Sequence, residues 1–466
     1  MLLVHKLPIP PIKEPFKHCK LSREKYAGIL TNIATTYADG FVLALNNKWG
    51  DGKTTFVKMW QQSLKNEEYA TLYFNAWEND FNHDPMVAIL SELRSLDIKD
   101  QTAARTLIKK GAQLSLNLLP ILVSAIAEKY INTDKISEAL QKLSDNATNL
   151  LEEQINDYAS KKKGIEDFQN ELEKYIQNLK KKPLIFIIDE LDRCNPKYAV
   201  EVLEHIKHFF SVPGIVFVLS MDKEQLGHCI KGYFGSHELD TEEYLRRFID
   251  LEFSLPRPEP KAYCDYLFNY YKFNEFFDPG NTDIRSTIKV EKDDFINTTY
   301  MLFKHGGLTP RHMEKIFILT RVVINSFHQN NYLFIETLLI LVYLKIIHPQ
   351  TYQDIKEKKL SVQQLSNNLF SVFPHIEITD RNNRWDVIET ELLFRYNVDF
   401  DDMHRSELII NNSDTRELSY KPNFLSPDNH KKAIKIIDHF SSNHRNSDIG
   451  LEYLIEKIDL REKFMP

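Results

Sequence analysis

The chain has no run of about twenty apolar residues, the length a helix needs to cross a bilayer. Its opening stretch, MLLVHKLPIPPIKEP, holds neither a sustained apolar core nor a small-residue cleavage site. These absences predict neither a transmembrane span nor a secretory leader. The four cysteines, Cys19, Cys194, Cys229 and Cys264, include no C-x-x-C pair, which argues against a zinc site or a disulfide framework and suits a reducing cytoplasm. An excess of basic residues is missing too. A net charge of −7 argues against bulk affinity for nucleic acid or anionic membrane, although a local basic groove stays open. His375, His404, His430, His439 and His444 are spaced too irregularly for a metal site, and no repeat or catalytic spacing marks the last third. What is present is ordinary globular composition, 42% hydrophobic and 27% charged, over 466 residues. That length predicts two or three domains.

The organising stretch is Phe41 to Phe56, FVLALNNKWGDGKTTF. An apolar run ends at Asn46, passes through a short polar loop, and restarts with Phe56, Val57 and Trp60 on one helical face, which is the layout of a phosphate-binding loop. Backbone N–H groups of Asn47, Lys48, Trp49, Gly50, Asp51, Gly52, Lys53, Thr54 and Thr55, with the positive end of the helix, would wrap a polyphosphate. Gly50 and Gly52 allow close backbone approach. Lys53 would reach the outer phosphates, and Thr54 would offer its hydroxyl to Mg²⁺. The pattern G-x-x-x-x-G-K-[ST] asks for glycine where this chain has Asn47, and asparagine is expected there as a residue tolerant of positive φ. A surface β-to-α turn with an incidental lysine is the bland alternative.

The second half of the site is PLIFIIDELDR, Pro183 to Arg193. Five consecutive apolar residues, Leu184 to Ile188, predict a strand buried on both faces, as in a parallel α/β sheet. Asp189 and Glu190 then stand at its C-terminal end, where open α/β sheets bind ligands. Asp189 would hold the Mg²⁺ shell, and Glu190 would orient and deprotonate the attacking water. An acidic helix cap is the alternative, and it loses ground once Lys53 is counted.

Elsewhere, Pro8 to Pro15 reads as an extended arm, and Ser22 as the start of a helix carrying Tyr26, Ile29, Leu30 and Ile33 inward. Thr71 to Phe74 predicts a strand, with Trp77 after it as a core or lid residue rather than a ligand contact. Leu114 to Ala127 is the most apolar run, either a buried helix or a segment touching a membrane from one side. From Asp134 to Leu179 the spacing predicts two helices with their break at Lys161–Lys163 and Gly164, forming a projecting hairpin or lying on the sheet. A further buried strand, Gly214 to Ser220, ends in Ser220-Met221-Asp222. Ser220 or Asp222 would sense the γ-phosphate, or else cap the next helix. Arg246 and Arg247 would stabilise phosphoryl charge across a subunit contact, or pair on the surface with Glu242 or Glu243.

Taken in order, the loop ending WGDGKT, then FNAW, DELDRCNP, the strand ending Ser-Met-Asp, and YLRRFIDLEFSLP resemble the KAP family of P-loop NTPases across about Leu21 to Arg321. The resemblance implies a strand between the phosphate-loop strand and the acidic strand, hence Glu190 as catalytic carboxylate. It implies Arg311, in Thr309-Pro310-Arg311, facing the nucleotide from a helical subdomain. It also implies ATP, and no Asn-Lys-x-Asp guanine-reading sequence follows the Ser220 strand. Family members often carry transmembrane helices between the nucleotide motifs, a place taken here by Leu114 to Ala127. The expected fold is α/β: a mostly parallel sheet flanked by helices, a helical insertion between the motifs, and a mostly helical C-terminal region. Expected boundaries are an arm at 1–20, a core at 21–260 with its insertion at 100–180, a helical subdomain at 261–348 and a partner-binding region at 349–466. The expected function is Mg²⁺-dependent ATP hydrolysis that remodels or activates a partner complex, through a homo-oligomer or an effector protein, in defence against phage. A nucleotide-gated scaffold and a peripheral membrane organiser are the alternatives.

Overall fold

The computed structural model describes residues 10–96, 106–111, 147–277, 287–327, 333–373, 385–400, 405, 408–411, 418–420, 427–442 and 448–460, apart from 18, 20, 39, 82, 83, 95, 108 and 209. Over 147–161 only the backbone is described. The Leu114–Ala127 run and the expected helix before 147 lie outside these residues. Two compact units emerge, Val4–Arg257 and Pro258–Pro466.

The first unit is a three-layer sandwich. Its elements are α1 (Glu24–Thr36), β1 (Phe41–Asn46), α2 (Lys53–Asn66), β2 (Thr71–Asn75), α3 (Ala76–Asn79), α4 (Pro85–Arg94), α5 (Ala147–Gln177), β3 (Leu184–Asp189), α6 (Pro196–His208), β4 (Ile215–Met221), α7 (Lys223–Phe234), α8 (Thr241–Leu245) and β5 (Leu251–Phe253). The five strands run parallel in the order β2-β3-β4-β1-β5, so β4 separates the loop strand from the acidic strand. Leu184 to Ile188 are each fully buried because both sheet faces are covered. Each such side chain contributes about 1.5–3 kcal/mol on leaving water.

Strand alternation assigns the faces. Ile185 and Ile187 pack with α1 and α2 beside Phe56 and Trp60, while Leu184, Phe186 and Ile188 pack with α4 to α7. By the same parity Asp189 emerges on the α2 face. The Trp60 indole donates to Thr31 Oγ1 at 2.9 Å, which satisfies its one polar atom and fixes α1 against α2.

Three local expectations are corrected. Ser22 does not open α1: it sits at φ 51°, and the helix starts at Glu24 after Arg23. Ile29 is 45% exposed; Ala27, Leu30 and Ala34 form the buried stripe. Lys161–Lys163 and Gly164 do not break a helix, since α5 runs unbroken for 31 residues. Lysine is a good helix former and one glycine costs only about 1 kcal/mol against alanine. That is too little to end a helix whose next turns bury Phe168, Leu172, Tyr175 and Ile176 against the sheet.

The second unit is chiefly helical. Helix Ile335–Ile347 is buried continuously from Ile335 to Leu344, so its apolar character comes from a protein core. Lys345 reaches out at its end to Asp459 at 2.9 Å. Among the described residues no helix is long and apolar enough to cross a membrane. In helix Trp385–Val398, Glu389 is 8% exposed and accepts from Ser366 Oγ at 2.8 Å. Burial pushes its carboxyl up to about 7 from 4.5. Folding therefore takes up a proton between those values, and stability falls as pH rises through that window. Glu389→Gln, which keeps the acceptor, is expected to raise stability at pH 8 by up to about 3 kcal/mol and to change little at pH 4. Thermal unfolding of the full chain at both pH values checks this, and an equal gain at both would contradict it.

Candidate functional site

β1 delivers the chain to the C-terminal edge of the sheet, and Asn47 to Gly52 turn it into α2. Gly50 at φ 89° and Gly52 at φ 78° take the left-handed backbone that the tight turn requires. A Cβ on Gly52 would also come within 3.0 Å of the Arg23 guanidinium. No side chain caps the first turn of α2, so its N–H groups stay available to an anion.

Asn47 works differently from expectation. It is absent from the positive-φ residues, so its tolerance of the left-handed region is not what the site uses. Its amide pairs with the Leu255 backbone instead, donating to the carbonyl and accepting from the N–H, both at 2.8 Å. The loop is thereby tied to the segment that follows β5. Restoring the motif glycine with Asn47→Gly removes both bonds and adds backbone freedom, an expected loss of about 1–3 kcal/mol with no gain in ATP affinity. Denaturant unfolding and titration calorimetry check this; unchanged stability would contradict it.

Lys53 is 9% exposed, and its ammonium donates to the carbonyls of Asn47 and Lys48. Burial pulls its pKa below the ordinary lysine value, with Asp192, Asp222, Asp189 and Asp51 opposing. Arg23, 3% exposed, supports the loop from beneath by donating to the carbonyls of Asp51 at 2.7 Å and Gly52 at 3.1 Å.

Opposite the loop, Asp189 is fully buried and accepts from Tyr73 Oη at 2.9 Å. Glu190 sits at φ 61°, a strained setting for a residue with a side chain. Its Oε1 accepts from Thr54 Oγ1 at 3.3 Å, and its Oε2 pairs with Arg193 at 3.0 Å. Burial pushes its carboxyl up, and Arg193 counters. A 3₁₀ turn, Leu191–Arg193, then places Asp192 under the loop, where its buried carboxylate accepts from the Trp49 indole. Burial also raises Asp192, against the pull of Trp49 and Lys53.

Asp222 takes the capping alternative and also meets the phosphate loop. One oxygen caps α7 at Gln225 N (3.4 Å) and the other accepts from Trp49 N (3.2 Å). Ser220, register partner of Asp189 and Leu45, is fully buried with its Oγ lacking a partner. Such an orphan carries a desolvation cost that a bound polar group would relieve. The donor set suits Mg²⁺ with a polyphosphate: one hydroxyl, Thr54, and one carboxylate, Asp189, the rest left to phosphate and water. Among the described residues no cluster of three or more His, Cys, Asp or Glu could hold a metal by itself.

The structure thus gathers Asn47 to Thr55, Asp189, Glu190, Ser220 and Asp222 at one sheet edge. It does not bring Arg246 there: Arg246 is exposed and pairs with Glu243 at 3.2 Å, and Arg247 beside it is exposed. Arg311 belongs to the second unit, exposed in the first turn of helix Pro310–Ile324, which Thr309 caps. Trp77 is no core residue, being 52% exposed. Arg23 and Tyr73 were missed, since neither lies in a phosphate or acidic motif. Asp192 and Arg193 stood in DELDR without a role.

The description "KAP family P-loop domain" matches residues 20–323. The Phage T7 exclusion protein of Escherichia coli is 32% identical over 78 residues, which is 16% of this chain and 10% of that protein. The chain therefore spans about a tenth of that relative. The uncharacterized protein MJ0182 of Methanocaldococcus jannaschii is 34% identical over 175 residues, 32% of this chain and 89% of that one. The solved structure of C. elegans PCH-2 covers 71% of this chain and 69% of its own at 12% identity, with a TM-score of 0.29, too low to carry an argument. With its loop, acidic strand and five-stranded parallel sheet, the chain belongs to the KAP family of P-loop NTPases.

Proposed function

We propose that this chain is an ATPase that binds ATP with Mg²⁺ and uses turnover, through conformational change or oligomerisation, to remodel or activate a partner complex in defence against phage. One observation carries the chemistry: Thr54 on the phosphate helix and Glu190 at the acidic strand meet at 3.3 Å, with Asp189 adjacent. The backbone of Lys48 to Thr55 and the Lys53 ammonium bind and orient the phosphates. Thr54 and Asp189 would hold Mg²⁺, whose chemistry when bound is to neutralise phosphate charge. Glu190 accepts the proton of the attacking water, a task suited by a carboxyl raised above its usual range. Ser220 offers its hydroxyl beside Asp189, and Asp222 holds the loop through Trp49. Arg246, Arg247 and Arg311 are the arginines proposed to act on nucleotide charge, the first two from a neighbouring copy. The phage-defence element rests on the name of the Escherichia coli relative and on the family resemblance.

A nucleotide-gated scaffold with little turnover is the second reading. It is favoured by the engagement of both Glu190 oxygens, by Thr54 and Arg193. Phosphate release from ATP, measured with Mg²⁺ and with EDTA over a range of protein concentrations, decides. Mg²⁺-dependent release rising faster than protein concentration is expected for an ATPase completed by a second copy. Tight ATP binding without release at any concentration would replace it with the scaffold.

A further inference from the structure

Arg193 is held from three sides, by Glu190 three residues before it and by two tryptophans distant in sequence. Its guanidinium pairs with Glu190 Oε2 at 3.0 Å. It also lies 5.8 Å from the ring centre of Trp49 in the phosphate loop and 5.4 Å from that of Trp77 after β2. Both tryptophans are large apolar side chains left 44% and 52% exposed, so neither is placed there by core packing. Polar contacts instead anchor the segment that carries each. Trp49 is held through its backbone N–H to Asp222 and its indole to Asp192. Trp77 sits in α3, whose first turn is capped by Asn75 accepting from Glu78 N at 3.2 Å. The residue after that helix, Asp80, accepts from Asn195 N at 2.7 Å, two residues beyond Arg193. An exposed i,i+3 ion pair alone contributes little. This pair is largely buried, at 27% and 15% side-chain exposure, and its cation is flanked by two indoles that attract it.

We propose that Arg193 is a positioning residue for Glu190, and that Trp49 and Trp77 form the slot that sets its guanidinium. Thr54 holds one carboxylate oxygen and Arg193 the other, so the plane of the carboxylate is fixed at two points. Because Trp49 belongs to the loop, the slot makes the aim of Glu190 depend on how the loop is seated. The inference rests on the reading of Glu190 as the residue that handles the attacking water.

The test compares wild type, Arg193→Gln, Arg193→Lys, Trp77→Ala and Glu190→Gln in the full chain. It uses three readouts: turnover of ATP, equilibrium binding of Mg–ATP, and acrylamide quenching of tryptophan emission without nucleotide. Arg193→Gln is expected to lower kcat about tenfold to a hundredfold, the cost of misaiming a reacting group, with ATP affinity within about threefold of wild type. Arg193→Lys restores part of the rate, since it returns the charge without the planar fork. Trp77→Ala lowers kcat in the same direction. Quenching rises in Arg193→Gln, as the guanidinium no longer shields the two indole faces, whereas Trp60 is fully buried and contributes nothing to the change. Unchanged quenching in Arg193→Gln, or kcat within about twofold of wild type, would overturn the slot. A fall in binding as large as the fall in kcat would make Arg193 a structural residue and overturn it too. Wild-type turnover by Glu190→Gln would instead overturn the role of Glu190, while the quenching comparison still reports on the slot by itself.

Discussion

Glu190→Gln is expected to bind ATP within about threefold of wild type and to turn over about 10²–10⁴-fold more slowly. The substitution preserves volume and keeps an oxygen that can accept from Thr54, now at 3.3 Å from Glu190 Oε1, so the nucleotide cradle should survive. What it removes is the capacity to take a proton. Burial raises the Glu190 carboxyl above its usual range, and Arg193 moderates that shift. Binding measured by calorimetry beside phosphate release distinguishes the two effects. Residual turnover above a tenth of wild type would remove Glu190 from the chemistry and leave Asp189 or a neighbouring copy to supply the base.

Lys53→Ala is the complementary case, and here binding is expected to go. The ammonium is the cation placed among Asp51, Asp189, Asp192 and Asp222, and a charge-assisted bond to phosphate contributes about 1.5–3 kcal/mol. Its loss leaves buried carboxylates facing an incoming anion, which adds to the penalty. ATP affinity is expected to fall about a hundredfold or more, and the carbonyls of Asn47 and Lys48 lose their donor. A melting curve recorded with the calorimetry separates lost binding from lost fold. If folded Lys53→Ala bound ATP within about threefold of wild type, the loop between β1 and α2 would not be the phosphate site.

Together the two variants divide the site by its chemistry. Lys53, read as the phosphate-binding cation, would act on charge already present in the ground state, so its removal is expected to appear in affinity. Glu190, read as the base, would act on a proton that moves only during reaction, so its removal is expected to appear in rate. A scaffold would show the first effect without the second.

How much of this was legible beforehand differs from residue to residue. The strand, loop and helix around Lys53 were readable because each signal is local: an apolar run, two glycines in a tight turn, and a helical stripe beginning at Phe56. The burial of Leu184 to Ile188 was readable for the same reason, since a strand covered on both faces must be apolar throughout. Asn47 stands in the loop as its sequence position implies, but what its side chain does there is not legible locally, because its partner, Leu255, lies 208 residues away. Arg23 could not be found at all. A buried arginine at the start of a helix looks like any surface arginine until the helix is packed under the loop. The continuity of α5 is not legible locally, because glycine and lysine report local preference, while the buried stripe at Phe168 to Ile176 decides whether a helix continues.

By itself, then, the order of residues determined where the strand, loop and helix of the candidate phosphate site lie, since backbone geometry, glycine placement and strand burial are set within a few positions. Tertiary structure alone decided what each acidic and basic side chain there meets. The sheet order places β4 between β1 and β3, which sets Ser220 beside Asp189 and brings Asp222 to the loop. The packing of α1, α3 and the 3₁₀ turn around that edge gives Arg23 its carbonyls and Arg193 its two indoles. Such pairings depend on distances between elements far apart in the chain. They are set by how the layers stack, which no window of sequence contains.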